Sequence, residues 1–203
     1  EVPDDYKKII LILSPESTGK TTLAVNLAYH YSTTKVDTIL IDTDFKKKDI
    51  YYHFNKDFEG CLSELEKKNY IELGQDINKH LSIYSEHRQK DVSFKKDHLL
   101  DLLLSARKKA EVVIVDLCYD LEPEIIKEML RLADNTLVTV EQRVNLLNRL
   151  PQRLYPYRDY LDNVSLVVNR FINDNNLKLN YIKNFFKNIP LSENTKFSID
   201  IDS

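Results

Sequence analysis

The residues best suited to chemistry lie near the start of the chain, in a nine-residue segment with the sequence SPESTGKTT. A loop that leads into a helix points its backbone N–H groups at phosphate oxygens. Lys20 adds a cation for the phosphates, and the hydroxyl of Thr21 is a suitable Mg²⁺ ligand. GKTT forms the second half of the Walker A pattern G-x-x-x-x-G-K-[ST]. We predict a phosphate-binding loop that contacts its ligand through Ser17, Thr18, Gly19, Lys20, Thr21 and Thr22.

Three aspartates lie where short apolar runs end. Asp42 and Asp44 end or follow one run, and Asp116 follows another. Ligands of open α/β sheets bind beyond the carboxyl ends of the strands, so these carboxylates should face the loop. We expect them to contact Mg²⁺ or an attacking water. A strand-end aspartate can also cap the next helix, which leaves a purely structural alternative open.

The elements that position these residues alternate between strands and helices. Apolar runs typical of buried strands lie at Ile9–Leu13, Thr38–Ile41, Leu81–Tyr84, Val112–Val115, Thr136–Val140 and Ser165–Val168. Helices are predicted at Thr21–Tyr31, Leu62–Lys68, His98–Lys109, Pro123–Leu132, Val144–Tyr160 and Leu177–Asn188. Pro151 and Pro156 should disturb the fifth helix. This alternation predicts an α/β fold, a doubly wound and mostly parallel sheet flanked by helices.

Composition sets limits on the class of protein. The 203 residues are 42% hydrophobic and 30% charged, which suits one folded domain and argues against disorder. A net charge of −3 argues against a protein that coats nucleic acid. Cys61 and Cys118 form no CxxC pair, which favours a reduced, cytoplasmic setting. Since the first residue is not Met, we expect residues 1–203 to be one domain of a longer chain.

Several segments together carry a family likeness. The loop followed by TTLAVNLAYHYS, TILIDTDF, VVIVDL, LVTVEQ, LVVNRF and NIPLSEN resembles the ParA/MinD family of deviant Walker A P-loop ATPases. The likeness runs from Ile9 to about Asn194. DTDFKKKDIYYHF and LVTVEQRVNLLNRLPQRL resemble its CpaE/TadZ branch, which helps to place pilus assembly machinery at cell poles.

The resemblance implies ATP or ADP with Mg²⁺ as cofactors and assigns a role to each phosphate-side residue. Lys20 and Thr21 would hold the phosphates and the metal. Asp44 would orient the hydrolytic water, with Asp42 beside it at the metal. Asp116 would be the Walker B carboxylate, the third metal-side residue with Thr21 and Asp42. Catalysis would thus rest on Asp44, Lys20 and Asp42.

The resemblance also places residues around the base. Asn169 matches the asparagine that reads adenine in the family, and Arg170 would lie near the base or ribose. Pro190 falls in the loop that borders the base. Asn169 and Arg170 could instead form only a turn at the end of a strand.

The loop departs from the family pattern. Ser14 replaces the first motif glycine, Pro15 stands at the signature lysine, and Glu16 and Ser17 replace two further glycines. The whole chain has three glycines, where average usage would give about fourteen. A loop with one glycine, Gly19, should be stiff, so we expect ATP binding with slow or absent hydrolysis.

These observations lead to one functional hypothesis and two alternatives. The first is a nucleotide switch, dimeric with ATP, that positions or regulates a protein partner in pilus, secretion or cell-pole machinery. A non-hydrolysing nucleotide-binding scaffold is the second. The third is a ParA-like DNA-partitioning ATPase, which the charge balance disfavours. The sequence carries no strong nucleic-acid or membrane signal, and we expect a cytoplasmic protein that a partner recruits to a pole or membrane complex.

Overall fold

The computed structural model describes residues 7–44, 47, 49–54, 62, 73–86, 96–172, 177–187 and 199–201. Its strands are β1 (Lys8–Leu13), β2 (Thr38–Asp42), β3 (Gln75–Asn78), β4 (Leu81–Tyr84), β5 (Val112–Leu117), β6 (Asn135–Val140), β7 (Val164–Val168) and β8 (Ile199–Ile201). They form one sheet in the order β3-β4-β2-β5-β1-β6-β7-β8. All neighbours pair in parallel except β3 and β4. The predicted doubly wound sheet is confirmed.

The helices are α1 (Lys20–Thr33), α2 (Lys96–Lys109), α3 (Pro123–Leu132), α4 (Val144–Leu154) and α5 (Leu179–Lys187). Short 3₁₀ helices follow at Ile50–His53 and Tyr155–Tyr160. The long helix predicted from Val144 is therefore an α-helix that contains Pro151 and a 3₁₀ helix with Pro156 in its first turn. Of the predicted helix Leu62–Lys68, all but Leu62 lies outside the described residues. No helix in the described part of the chain could cross a bilayer.

Strands β3 and β8 were not predicted from the sequence. The residues of β3 are QDIN and alternate between half-buried and exposed, so this strand has no apolar run. Both strands lie at the ends of the strand order, where one neighbour is enough. The apolar-run criterion finds strands buried on both faces, and edge strands do not meet it.

The core lies on both faces of the sheet. In β1, Ile9, Leu11 and Leu13 pack on one face, and Ile10 and Ile12 pack on the other. The second of these faces is covered by α1, through buried residues that include Ala24 and Ala28. Helices α2 to α5 contribute to the first face. The result is a three-layer α/β/α arrangement in which the loop before α1 opens at the carboxyl ends of the central strands.

Candidate functional site

The predicted phosphate loop connects β1 to α1. Gly19 precedes α1 with φ 83°, a left-handed conformation that favours glycine. No described side chain caps the N-terminus of α1, and its first turn contains no acid. The first N–H groups of a helix have no partner within the helix and carry partial positive charge, so this terminus suits an anion. Lys20, Thr21 and Thr22 form the first turn of α1.

Lys20 and Thr21 converge on one buried carboxylate. The Lys20 ammonium donates to Oδ1 of Asp116, and the Thr21 hydroxyl donates to Oδ2 at 2.6 Å. Asp116 is completely buried within β5. The next helix, α3, has Glu122 and not Asp116 before its first residue, so the capping alternative does not apply to Asp116. A cation, a hydroxyl and a carboxylate thus lie together at the start of α1.

Asp42 lies opposite Asp116 in the pairing of β2 with β5. It accepts hydrogen bonds at 2.9 Å from the Ser85 hydroxyl and the Asp44 backbone N–H. Burial, followed by the negative charge of Asp116, raises the pKa of Asp42 to about 7, although these two hydrogen bonds and Lys20 act in the opposite direction. Ser85, at the end of β4, was not predicted, since a lone serine after a short strand carries no sequence signal.

Asp44 lies just after β2, half-buried, and its Oδ1 accepts the backbone N–H of Lys47 at 3.0 Å. This is a local side-chain-to-backbone bond within a turn. Asp44 also lines the cleft in front of the phosphate loop. The structure therefore brings it to the site and gives it a turn-forming contact as well.

Three hydroxyl groups that the sequence did not single out as a cluster hold the loop against β6. The hydroxyls of Ser14 and Thr18 lie 2.8 Å apart, and those of Thr18 and Thr139 lie 2.7 Å apart. All three side chains are buried. Ser14 also donates to the Glu16 carbonyl at 2.6 Å. Side-chain hydrogen bonds therefore shape this loop, whose only glycine is Gly19.

Ion pairs connect the loop to neighbouring segments. Glu16, which also lines the cleft, lies 3.9 Å from Arg149 of α4. Arg143 pairs with Glu141 at 2.8 Å and donates to the Ser17 carbonyl at 3.4 Å. These pairs link the loop to the segment after β6.

Asn169 and Arg170 lie beside the loop, directly after β7. The Asn169 amide donates to the Thr18 carbonyl at 2.9 Å, and its Oδ1 accepts the Arg170 N–H at 2.9 Å. Arg170 has φ 53°, and its guanidinium pairs with Glu141 at 3.2 Å. These bonds are those of a strand-end turn that also contacts the loop. Pro190, the third residue predicted near the base, lies outside the described residues.

A cleft of about 320 Å³ lies in front of the loop. Its lining comprises Ser14, Pro15, Glu16, Ser17, Thr18, Gly19, Lys20, Thr21, Thr22, Asp44, Lys47, Asp49, Cys118, Tyr119 and Asp120. No group of three or more histidine, cysteine or acidic residues in the described ranges is arranged to hold a metal alone. Mg²⁺ is normally held by one or two carboxylates together with phosphate oxygens. Thr21 and Asp116, which are hydrogen-bonded to each other, could supply a hydroxyl and one carboxylate for such a site. The role of Asp42 as a second carboxylate remains a prediction.

No protein-family model matches the sequence of this chain, and no curated protein matches it. Solved structures do match. A ParA family ATPase from Chlorobium tepidum TLS is 15% identical, with TM-score 0.79 over 97% of this chain and 85% of that chain. MinD in the MinC:MinD cell division complex of Aquifex aeolicus is 16% identical, with TM-score 0.72 and coverages of 97% and 82%. MinD with Mg-ADP from Pyrococcus horikoshii OT3 is 14% identical, with TM-score 0.71 and coverages of 91% and 79%.

The chain shares the fold of these ParA and MinD structures. At 14–16% identity these matches establish the fold, and they leave the function to be argued from the site. The likeness to the CpaE/TadZ branch and the roles of the site residues remain predictions.

Proposed function

We propose that this protein binds ATP with Mg²⁺ in the cleft and acts as a nucleotide switch that positions or regulates a partner complex. One observation carries the proposal. Lys20 and Thr21, at the uncapped start of α1, both contact the buried Asp116. A helix N-terminus with a cation, a hydroxyl and a carboxylate at its first turn is suited to a phosphate chain with its metal.

Each residue has a role in this proposal. Lys20 exchanges its contact with Asp116 for the phosphates, and the backbone N–H groups of residues 17–22 surround them. Thr21, Asp116 and Asp42 would hold Mg²⁺, which would neutralise phosphate charge. Asp44 orients the attacking water.

On the base side, Asn169 and Arg170 contact the adenine and ribose, together with Pro190. This assignment requires the Asn169 amide to leave the Thr18 carbonyl or to share its hydrogen bonds.

The compared structures support the choice of ligand and of partner class. One of them is a complex with Mg-ADP, and another is a MinC:MinD complex between two proteins. We propose by analogy a nucleotide ligand, an ATP-dependent homodimer and a protein partner. The finer assignment, to pilus or secretion machinery recruited to a cell pole from the cytoplasm, rests on the sequence likeness to the CpaE/TadZ branch.

A non-hydrolysing scaffold is the second candidate, and one feature of the site favours it. Oδ1 of Asp44, the residue proposed to orient water, already accepts the Lys47 backbone N–H. The phosphate loop is also braced by the hydroxyls of Ser14, Thr18 and Thr139, which opposes rearrangement between nucleotide states.

Replacement of Lys20 tests the binding site. Lys20→Ala should weaken Mg-ATP binding by about 100-fold or more, because each charge-assisted hydrogen bond contributes about 1.5–3 kcal/mol. Isothermal titration calorimetry measures the affinity. Lys20→Gln, which keeps a donor for Asp116 without the charge, should show the same loss.

Lys108→Ala is the matched control, since Lys108 is exposed on α2 far along the chain from the loop. The affinity of this variant for Mg-ATP should equal that of the wild type. Thermal unfolding of all variants shows whether they remain folded. A folded Lys20→Gln protein that binds Mg-ATP as tightly as the wild type would exclude the proposed site.

A further inference from the structure

The charges that line the cleft are poorly matched to a nucleotide triphosphate. Among the described lining residues, two are cations, Lys20 and Lys47. Four are acids, Glu16, Asp44, Asp49 and Asp120. A triphosphate with one Mg²⁺ keeps a net negative charge, so it needs cations in the cleft. Lys20 is one of them, and its ammonium lies at Asp116.

Lys47 reaches the phosphate loop from a separate part of the chain. It follows β2, and its Nζ donates to the Ser17 hydroxyl at 3.2 Å. Its backbone N–H donates to Asp44 at 3.0 Å. The lysine is thus held beside the residue proposed to orient water, and its ammonium lies at the rim of the loop, on a long and exposed side chain.

The sheet order indicates which end of a nucleotide Lys47 would meet. The phosphate loop follows β1, with β5 and then β2 on one side and β6 and then β7 on the other. Lys20 and Thr21 contact Asp116 on the β5 side. Asn169, the proposed base contact, follows β7 on the opposite side. Lys47 follows β2, so it lies on the side of the loop where the metal and the terminal phosphate are proposed to bind.

We propose that Lys47 binds the terminal phosphate of the nucleotide and thereby distinguishes a triphosphate from a diphosphate. This inference rests on the proposed function of the cleft. In the triphosphate complex the Lys47 ammonium moves from the Ser17 hydroxyl to a phosphate oxygen, and with a diphosphate it keeps its contact with Ser17.

The test compares the affinities for the Mg²⁺ complexes of a non-hydrolysable ATP analogue, AMPPNP, and of ADP, by calorimetry on the full chain. Lys47→Ala keeps the backbone N–H that Asp44 accepts and removes the side chain beyond Cβ, with its ammonium. We expect AMPPNP to bind about tenfold more weakly, and ADP to bind within about twofold of the wild type. Lys47→Arg should retain most of the preference, since it keeps the charge. Lys108→Ala should retain all of it.

The possible results separate this inference from the proposed function. If Lys47→Ala leaves the ratio of the AMPPNP and ADP affinities unchanged, the assignment of Lys47 is wrong and the cleft remains a nucleotide site. An equal loss for both nucleotides would also overturn it, since Lys47 would then not select the terminal phosphate. If the wild-type protein binds neither nucleotide, the proposed function fails and this inference fails with it.

Discussion

At the level of single residues, Asp42 and Asp116 place two carboxylates next to each other at the proposed site. They lie opposite each other on adjacent parallel strands and are both buried. Burial disfavours a charged carboxylate, and two such charges close together disfavour each other. Lys20 contacts Asp116, and the pKa of Asp42 is raised to about 7. Asp42 therefore changes its protonation near neutral pH.

The raised pKa of Asp42 predicts a pH-dependent stability. A carboxyl group whose folded pKa, about 7, exceeds its ordinary value of 3.8 binds its proton more tightly in the folded protein. Its contribution is complete below pH 4 and is lost as the pH rises through 7. We expect the free energy of unfolding to decrease by at most ~1.4 kcal/mol per pH unit between about pH 4 and pH 7.

Urea unfolding of metal-free protein in EDTA, at several pH values between 4 and 8, measures this dependence. Asp42→Asn removes the titrating group and should remove that part of the slope. Asp101→Asn, at an exposed position on α2, should keep it. If the free energy of unfolding changes with pH in the same way in the wild type and in Asp42→Asn, the raised pKa of Asp42 is not the cause of the slope.

At the level of elements, the phosphate loop is held between β6 and the turn after β7. Thr18 bonds to Thr139 of β6 through its hydroxyl and to the Asn169 amide through its carbonyl. A Cβ at Gly19 would overlap the Asn169 Nδ2. The close packing of this turn against the loop leaves no room for a side chain at position 19.

Gly19→Ala should therefore destabilise the fold for two separable reasons. A left-handed φ of 83° costs a residue with a Cβ about 1–2 kcal/mol, and the Asn169 amide must move as well. Adding Asn169→Ala to Gly19→Ala should relieve the contact and leave the backbone cost. Urea unfolding of the two single variants and the double variant gives the coupling energy. Strictly additive changes would show that the contact with Asn169 is not a source of the loss.

At the level of the whole molecule, the mostly parallel sheet brings the residues of the proposed site together at the carboxyl ends of its strands. Residues from the ends of β1, β2, β5 and β7 meet there, although they are distant in the sequence. The same arrangement is compatible with a switch and with a scaffold. The two differ in whether the whole protein completes catalytic cycles.

Multiple-turnover ATPase measurements with Mg²⁺ distinguish the two. For a switch we expect slow phosphate release by the wild type and a loss of about 100-fold or more in Asp44→Ala, the usual scale for a residue that acts on the attacking group. Asp49→Ala, which changes another acid that lines the cleft, is the control. A wild-type protein that binds ATP without any turnover would support the scaffold and exclude the switch.

The sequence by itself determined the central fold and the position of the phosphate loop. The strands β1, β2, β4, β5, β6 and β7 have apolar runs, and the helices between them have periodic apolar faces. Both patterns report burial and local backbone preference, so they can be read along the chain. The carboxyl ends of parallel strands lie on the same side of a sheet. The pattern of strands therefore also predicted that Asp42 and Asp116 lie close to Lys20.

Only the tertiary structure decided which side chains meet within that edge. The hydroxyl of Ser85 reaches Asp42 across 43 residues, and that of Thr18 reaches Thr139 across 121. Lys47, one of three consecutive lysines that resemble a solvated run, reaches Ser17. Such contacts depend on strand order and register, which join distant segments and leave no local pattern in the amino-acid sequence.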